Sequence, residues 1–156
     1  MTQNEAPRDP EVPRDIKLKA SDGWIFSVPR HVIAKSLVVN SLIESLGLDA
    51  KNAPKDPEPI LLSTVNGRTL KKVLKWCRHH SGPPETYEER LIRASRPSGL
   101  SDWDEEFLET SVSELCELTT AAYQLHIQDL MDMCCKALAD SIMGRPLGEG
   151  IQFVFA

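Results

Sequence analysis

The sequence lacks the long apolar runs and the basic clusters that mark two large classes of protein. No stretch of roughly 18 or more apolar residues occurs, so we expect no transmembrane helix and no membrane partner. The formal net charge is −5, whereas a nucleic-acid-binding domain carries a clear excess of lysine and arginine, so we expect no nucleic-acid partner. The polar, proline-rich residues 1–14 do not resemble a signal or transit peptide. We therefore expect a cytoplasmic and nuclear protein.

Motifs for cofactors, metals and catalysis are also missing. The sequence has no GxGxxG or GxxxxGK[ST] phosphate-binding loop and no GxSxG nucleophile elbow. The neighbouring Cys77, His79 and His80 have no second ligand pair at metal-binding spacing. We expect no catalytic residues, no metal site and no cofactor, so a small metal- or thiol-dependent enzyme is the least favoured hypothesis.

The chain does contain short strand patterns at its front and helical patterns behind them. Ile16, Leu18 and Ala20 alternate with lysines, which is typical of a half-buried strand. Asp22-Gly23 favours a hairpin turn into a second strand, and residues 60–62 predict a third. Helices are predicted to begin at or next to Ser36, Asn66, Ser101, Ser111 and Ile127. At Ser111, the spacing to Glu114 matches a capping box.

The length of 156 residues favours one domain with tails. Residues 1–14 have little to bury and predict a disordered tail. Residues 15–126 form the predicted domain, in which residues 81–100 read as a flexible, exposed insertion. Residues 127–156 form a helical extension of the domain.

The segment IQDLMDMCCKALADSIMG, residues 127–144, carries more apolar surface than one neighbour can cover. At helical spacing, one stripe consists of Leu130, Cys134 and Ala137, which we call the inner stripe. An ordinary surface helix has an apolar arc of roughly 100°, and a second stripe makes this arc about twice as wide. We expect the second stripe to bind a partner, unless it packs beneath the insertion or the tail. This outer stripe consists of Met131, Cys135, Leu138 and Ile142.

Four segments together resemble the Skp adaptor family of F-box ubiquitin ligases. They are IKLKASDGWIFSVP, LKKVLKWCRHH, WDEEFL and LCELTTAAYQLHIQDLMDMCCKALADSIMGR, in the order of the family, over roughly residues 15–145. The resemblance implies an α+β fold of the BTB/POZ-like kind: a small three-stranded sheet covered by helices, with a truncated C-terminal helical extension. It also implies a non-catalytic adaptor that bridges a cullin to F-box proteins, the substrate receptors for ubiquitin-dependent degradation.

The same resemblance implies which residues contact each partner. The cullin contact of the family uses an Asn-Tyr pair, and here those places hold Tyr123 and Gln124. We therefore expect altered cullin affinity or partner choice. Family members continue with two more helices, whereas this sequence stops at Ala156, so we expect weaker or more selective F-box binding. The implied F-box-binding residues are Cys116, Met131, Cys135, Leu138 and Ile142.

Two other hypotheses stay open at this point. The chain could be a self-associating BTB-like scaffold without a ligase role. It could also compete with a full-length adaptor for the same F-box proteins.

Overall fold

The computed structural model describes residues 15–48, 50 and 57–143. The predicted disordered tail, residues 1–14, and the end of the chain, residues 144–156, lie outside the described residues. Within them, a three-stranded sheet and six α-helices confirm the predicted α+β architecture. No helix in this part of the chain has the length and apolar character needed to cross a bilayer.

The strands are β1 (Ile16–Ala20), β2 (Ile25–Val28) and β3 (Ile60–Leu62). The helices are α1 (Leu37–Ser45), α2 (Gly67–His80), α3 (Tyr87–Ala94), α4 (Asp102–Phe107), α5 (Val112–Leu125) and α6 (Gln128–Ile142).

The sheet has the order β2-β1-β3, and its first two strands form the predicted antiparallel hairpin. The turn contains Gly23 at a φ of 97°, a backbone region that glycine enters without steric cost. β3 runs parallel to β1, with Leu18 beside Ile60. The lysines of β1 point away from the core, as their alternation with Ile16 and Leu18 predicts.

Helix α2 packs on the sheet, and α5 packs on α2. The predicted cap of α2 is confirmed, because the Asn66 side chain accepts a hydrogen bond from the Thr69 amide at 2.8 Å. At α5, Ser111 accepts from the Glu114 amide, but the predicted reciprocal bond from Glu114 is wrong. The Glu114 carboxylate instead pairs with Arg68 and accepts from Thr110.

The insertion at residues 81–100 contains α3, a helix that the apolar pattern of the sequence does not predict. Thr86 and Glu89 form a reciprocal capping box at its start. Arg93 donates to Glu85 at 2.9 Å and to the Gly99 carbonyl at 3.2 Å, which ties the two ends of the insertion together. No α3 residue is buried, so this helix of the insertion is accessible to solvent.

Ser36 joins the start of α1 to the end of α5. Its hydroxyl donates to the Leu125 carbonyl at 2.6 Å and accepts from the Val39 amide at 3.1 Å. The residue is fully buried, so no solvent replaces either bond if the hydroxyl is removed. One side chain therefore caps a helix and satisfies a carbonyl that lies 89 residues away along the chain.

We predict that Ser36→Ala lowers the free energy of unfolding by about 1–3 kcal/mol, because it strands a buried amide and a buried carbonyl. Ser41→Ala, in the same helix but exposed, should change it by less than ~0.5 kcal/mol. Urea unfolding followed by circular dichroism measures both. Equal stability of the two variants would show that the Ser36 bonds do not stabilise the fold.

Candidate partner-binding surface

The turn between α5 and α6 fixes how α6 lies on the domain. His126 has a φ of 54°, the only left-handed non-glycine residue in the described part of the chain. The His126 amide donates to the Tyr123 carbonyl at 3.1 Å, and the Ile127 amide donates to the Ala122 carbonyl at 3.0 Å. These two bonds form a Schellman motif, which ends one helix and redirects the chain. Ile127 is fully buried, so the turn is anchored in the core.

The inner stripe of α6 packs on the domain as the sequence predicts. Leu130 and Cys134 are fully buried, and Ala137 is partly buried against the core. The pKa of the Cys134 thiol is raised to about 12, mainly because the thiol is buried. Cys134 therefore acts as a small apolar packing residue. The inner stripe faces α5, because α6 makes its most extensive contact with that helix.

The outer stripe stays accessible along the whole helix. Met131 and Leu138 are only partly buried, with one side of each packed against the core. Cys135 is exposed, and Ile142 keeps 41% of its surface accessible. None of the four is buried by the residues that the structure describes. The outer stripe is thus an apolar strip on a rigid helix, which is the usual form of a helix-in-groove or helix-face docking site.

Cys116 lies on α5, away from the face that packs on the core. It is exposed, and it borders a cavity of about 320 Å³ with the turn between β3 and α2. Thr64, Asn66 and Thr120 also line this cavity, and no residue of α6 does. The structure therefore places the outer stripe on one helix and Cys116 on the neighbouring one, without a shared cavity.

The predicted cullin-contact residues follow one another near the end of α5. Tyr123 is 68% exposed, so its ring is available to a partner. Gln124 is partly buried, and its side-chain oxygen has no hydrogen-bond partner among the described residues. Adjacent helical residues point about 100° apart, so the ring and the amide face different directions.

A larger cavity, of about 840 Å³, lies between the end of α2, the insertion and the start of α6. One wall holds Asp104, which is 4% exposed and accepts from Ser101 at 3.2 Å. Its other oxygen lies 2.8 Å from His80 Nε2, so the buried carboxylate is well satisfied. His79 stacks on Trp103 with ring centroids 3.8 Å apart, and desolvation lowers the pKa of this histidine. The hydrogen bond of His80 and the ring stacking of His79 give both histidines a structural role.

Cys77, which the sequence places next to these histidines, lies on the buried face of α2. Burial raises the pKa of its thiol to about 12. Within the described ranges, no three histidine, cysteine or acidic side chains come close enough to hold a metal ion.

Comparison with known proteins places the chain in a family. Residues 14–82 match the family described as "Skp1 family, tetramerisation domain". The "Skp1-related protein" of Caenorhabditis elegans is 41% identical over 132 residues, which cover 85% of this chain and 74% of the relative. The chain belongs to the Skp1 family. Its α+β fold, with the small sheet and its covering helices, is thus the BTB/POZ-like fold that the resemblance implies.

Two fungal relatives of this Skp1-family chain carry names that state a function. Each is named "E3 ubiquitin ligase complex SCF subunit sconC". The protein of Arthroderma benhamiae is 34% identical over 131 residues, 83% of this chain and 76% of the relative. That of Talaromyces stipitatus is 33% identical over 130 residues, 83% of this chain and 77% of the relative.

We predict that alkylation separates the four cysteines into two classes. In the native protein, iodoacetamide should modify Cys116 and Cys135, because both are exposed. Cys77 and Cys134 should react only after unfolding, because burial keeps them protonated and inaccessible. Tandem mass spectrometry assigns each site, because Cys116, Cys134 and Cys135 share one tryptic peptide that must be fragmented to tell them apart. Native protection of Cys135 equal to that of Cys134 would mean that the outer stripe is covered.

Proposed function

We propose that this Skp1-family protein is a non-catalytic adaptor subunit of an SCF-type ubiquitin ligase, bridging a cullin to F-box proteins. The observation that carries the proposal is the outer stripe of α6, a row of accessible apolar side chains on a helix whose inner stripe is buried. Membership of the family and the names of two relatives, each an SCF subunit, support the same function.

The F-box face of the adaptor is the outer stripe, with Cys116 of α5 as a further contact. Burying a large apolar side chain contributes about 1.5–3 kcal/mol, and Leu138, Met131 and Ile142 each still have accessible area to lose. Association and side-chain ordering offset part of this gain. Three such side chains on one fixed helix provide a compact, preorganised anchor, which lowers the ordering cost.

The cullin face is proposed at Tyr123 and Gln124. The exposed Tyr123 ring offers a large amphipathic contact, a residue type enriched at interface hot spots. Gln124 is partly buried, and its side-chain oxygen is closed off from solvent. In this proposal a cullin therefore contacts Gln124 through the accessible part of its side chain.

The proposal assigns different roles to two parts of the chain. Residues 15–126 form the BTB/POZ-like unit that carries the cullin face. The helical extension that begins at residue 127 carries the F-box face. In this proposal the adaptor acts in the cytoplasm and the nucleus.

We predict that Leu138→Asp abolishes F-box binding, since it places a charge in a desolvated apolar contact. Ile142→Asp, at a more exposed site on the same stripe, should weaken binding by at least about tenfold without affecting the fold. The matched control is Leu91→Asp on α3, where the side chain is 51% exposed. Isothermal titration calorimetry with a recombinant F-box domain measures the three affinities.

Loss of binding in the Leu91→Asp control, or full affinity in both stripe variants, would contradict the assigned F-box face. Far-UV circular dichroism confirms that each variant is folded. A stripe variant that binds normally would therefore count against the surface itself.

The cullin face has its own test. We predict that Tyr123→Ala weakens binding to the N-terminal domain of a cullin by about 1–2 kcal/mol, which corresponds to a roughly 5- to 30-fold rise in Kd. The control is Val112→Ala, at an exposed position at the start of the same helix. Biolayer interferometry with the protein bound to an F-box domain gives both constants. Tight F-box binding with no cullin binding by the unaltered protein would favour the competitor hypothesis over the adaptor.

A further inference from the structure

The solvent-facing side of α2 is a row of cations. Every exposed residue of this helix except His79 is a lysine or an arginine. The helix contains no acidic residue, although the chain as a whole has a net charge of −5. We call this row the basic stripe, and it consists of Arg68, Lys71, Lys75 and Arg78.

The fold leaves the middle of the basic stripe without a compensating charge. Arg68 pairs with Glu114 of α5. Arg78 lies in the last turn, where a cation is favourable to the helix dipole. The ammonium groups of Lys71 and Lys75 have no hydrogen bond or ion pair with any residue that the structure describes. They lie four residues apart on one helix face, where like charges repel. This repulsion lowers the stability of the free protein, and an anionic partner would relieve it.

We propose that the basic stripe binds an acidic helix of a partner protein, which lies along α2. Successive cations of the stripe are three or four residues apart, or about 4.5–6 Å along the helix axis. Acidic side chains on one face of a helix recur at the same intervals. Same-face side chains of an extended strand recur at about 6.7 Å, so an extended peptide falls out of register by about 5 Å across the stripe.

The rest of the molecule disfavours larger anions. Nucleic acids and anionic bilayers extend well beyond a strip of about 15 Å, and the chain that would face them is acidic overall. A basic amphipathic helix enters a bilayer interface with its apolar face. In α2 that face, which includes Leu70, Val73 and Leu74, is buried in the core. A short acidic helix matches the stripe in both length and charge.

The basic stripe is separate from the two faces of the proposed adaptor. It lies on α2, whereas the cullin face lies on α5 and the outer stripe lies on α6. The inference therefore does not rest on the proposed function, and its test needs neither a cullin nor an F-box domain.

Fluorescence anisotropy of the full chain with two labelled peptides tests the proposal. Both peptides are alanine-based helices of about 20 residues, with the same number of glutamates and matched helicity. In the first peptide the glutamates share one face, and in the second they are spread around the helix. We expect the first peptide to bind at least about threefold more tightly than the second. Its affinity should fall as the salt concentration rises, because the contact is between exposed charges.

A charge reversal in the middle of the stripe localises the contact. Lys75→Glu should raise the Kd of the first peptide at least about threefold. The matched control is Lys19→Glu, the same charge change at an exposed lysine of β1, which should leave the Kd within about 1.5-fold. Thermal unfolding gives an independent readout. Lys75→Glu should keep or raise the Tm, because the new carboxylate faces Lys71 and Arg78 in place of a like charge.

Four results would overturn the proposal. The first is equal affinity for the two peptides, or no binding of either. The second is an equal effect of Lys19→Glu. The third is a lower Tm of Lys75→Glu, which would make this cation part of what stabilises the fold. The fourth is tighter binding of a single-stranded oligonucleotide or of phosphatidylserine vesicles than of the first peptide, which would assign the stripe to nucleic acid or to a membrane surface.

Discussion

Helix α6 has a wider apolar arc than its neighbour α5 covers, and the proposed function depends on this mismatch. The left-handed turn at His126 and the buried Ile127 fix the rotation of α6 about its axis. That rotation buries Leu130 and Cys134 and leaves the outer stripe accessible. An apolar strip of this kind that stays exposed on a helix lowers solubility and marks a docking site. The two adjacent cysteines show most directly that α6 has a covered side and an accessible side, because Cys134 is buried and Cys135 is exposed.

The two faces of the proposed adaptor lie on different helices. The outer stripe lies on α6, whereas Tyr123 and Gln124 lie near the end of α5. The stripe offers apolar side chains only, since the α6 backbone is already hydrogen-bonded within the helix. Tyr123 offers an exposed aromatic ring with a polar hydroxyl.

The sequence predicts those features that rest on local pattern. Strand alternation around Leu18, the cap at Asn66 and the two stripes of α6 all follow from spacing and appear in the structure. Helix α3 escapes the apolar pattern because none of its residues is buried, although the spacing of Thr86 and Glu89 signals its start. No local pattern in the sequence predicts the long-range contacts. The bond from Ser36 to Leu125 and the pairing of Glu114 with Arg68 depend on the tertiary arrangement.

Methyl NMR of the protein, free and bound to an F-box domain, tests the central claim most directly. A soluble paramagnetic probe should broaden the methyl signals of Met131, Leu138 and Ile142 in the free protein and spare Leu130. Addition of the F-box domain should shift the three outer signals and protect them from the probe. Protection of these methyl groups in the free protein, or shifts confined to other elements, would contradict the account.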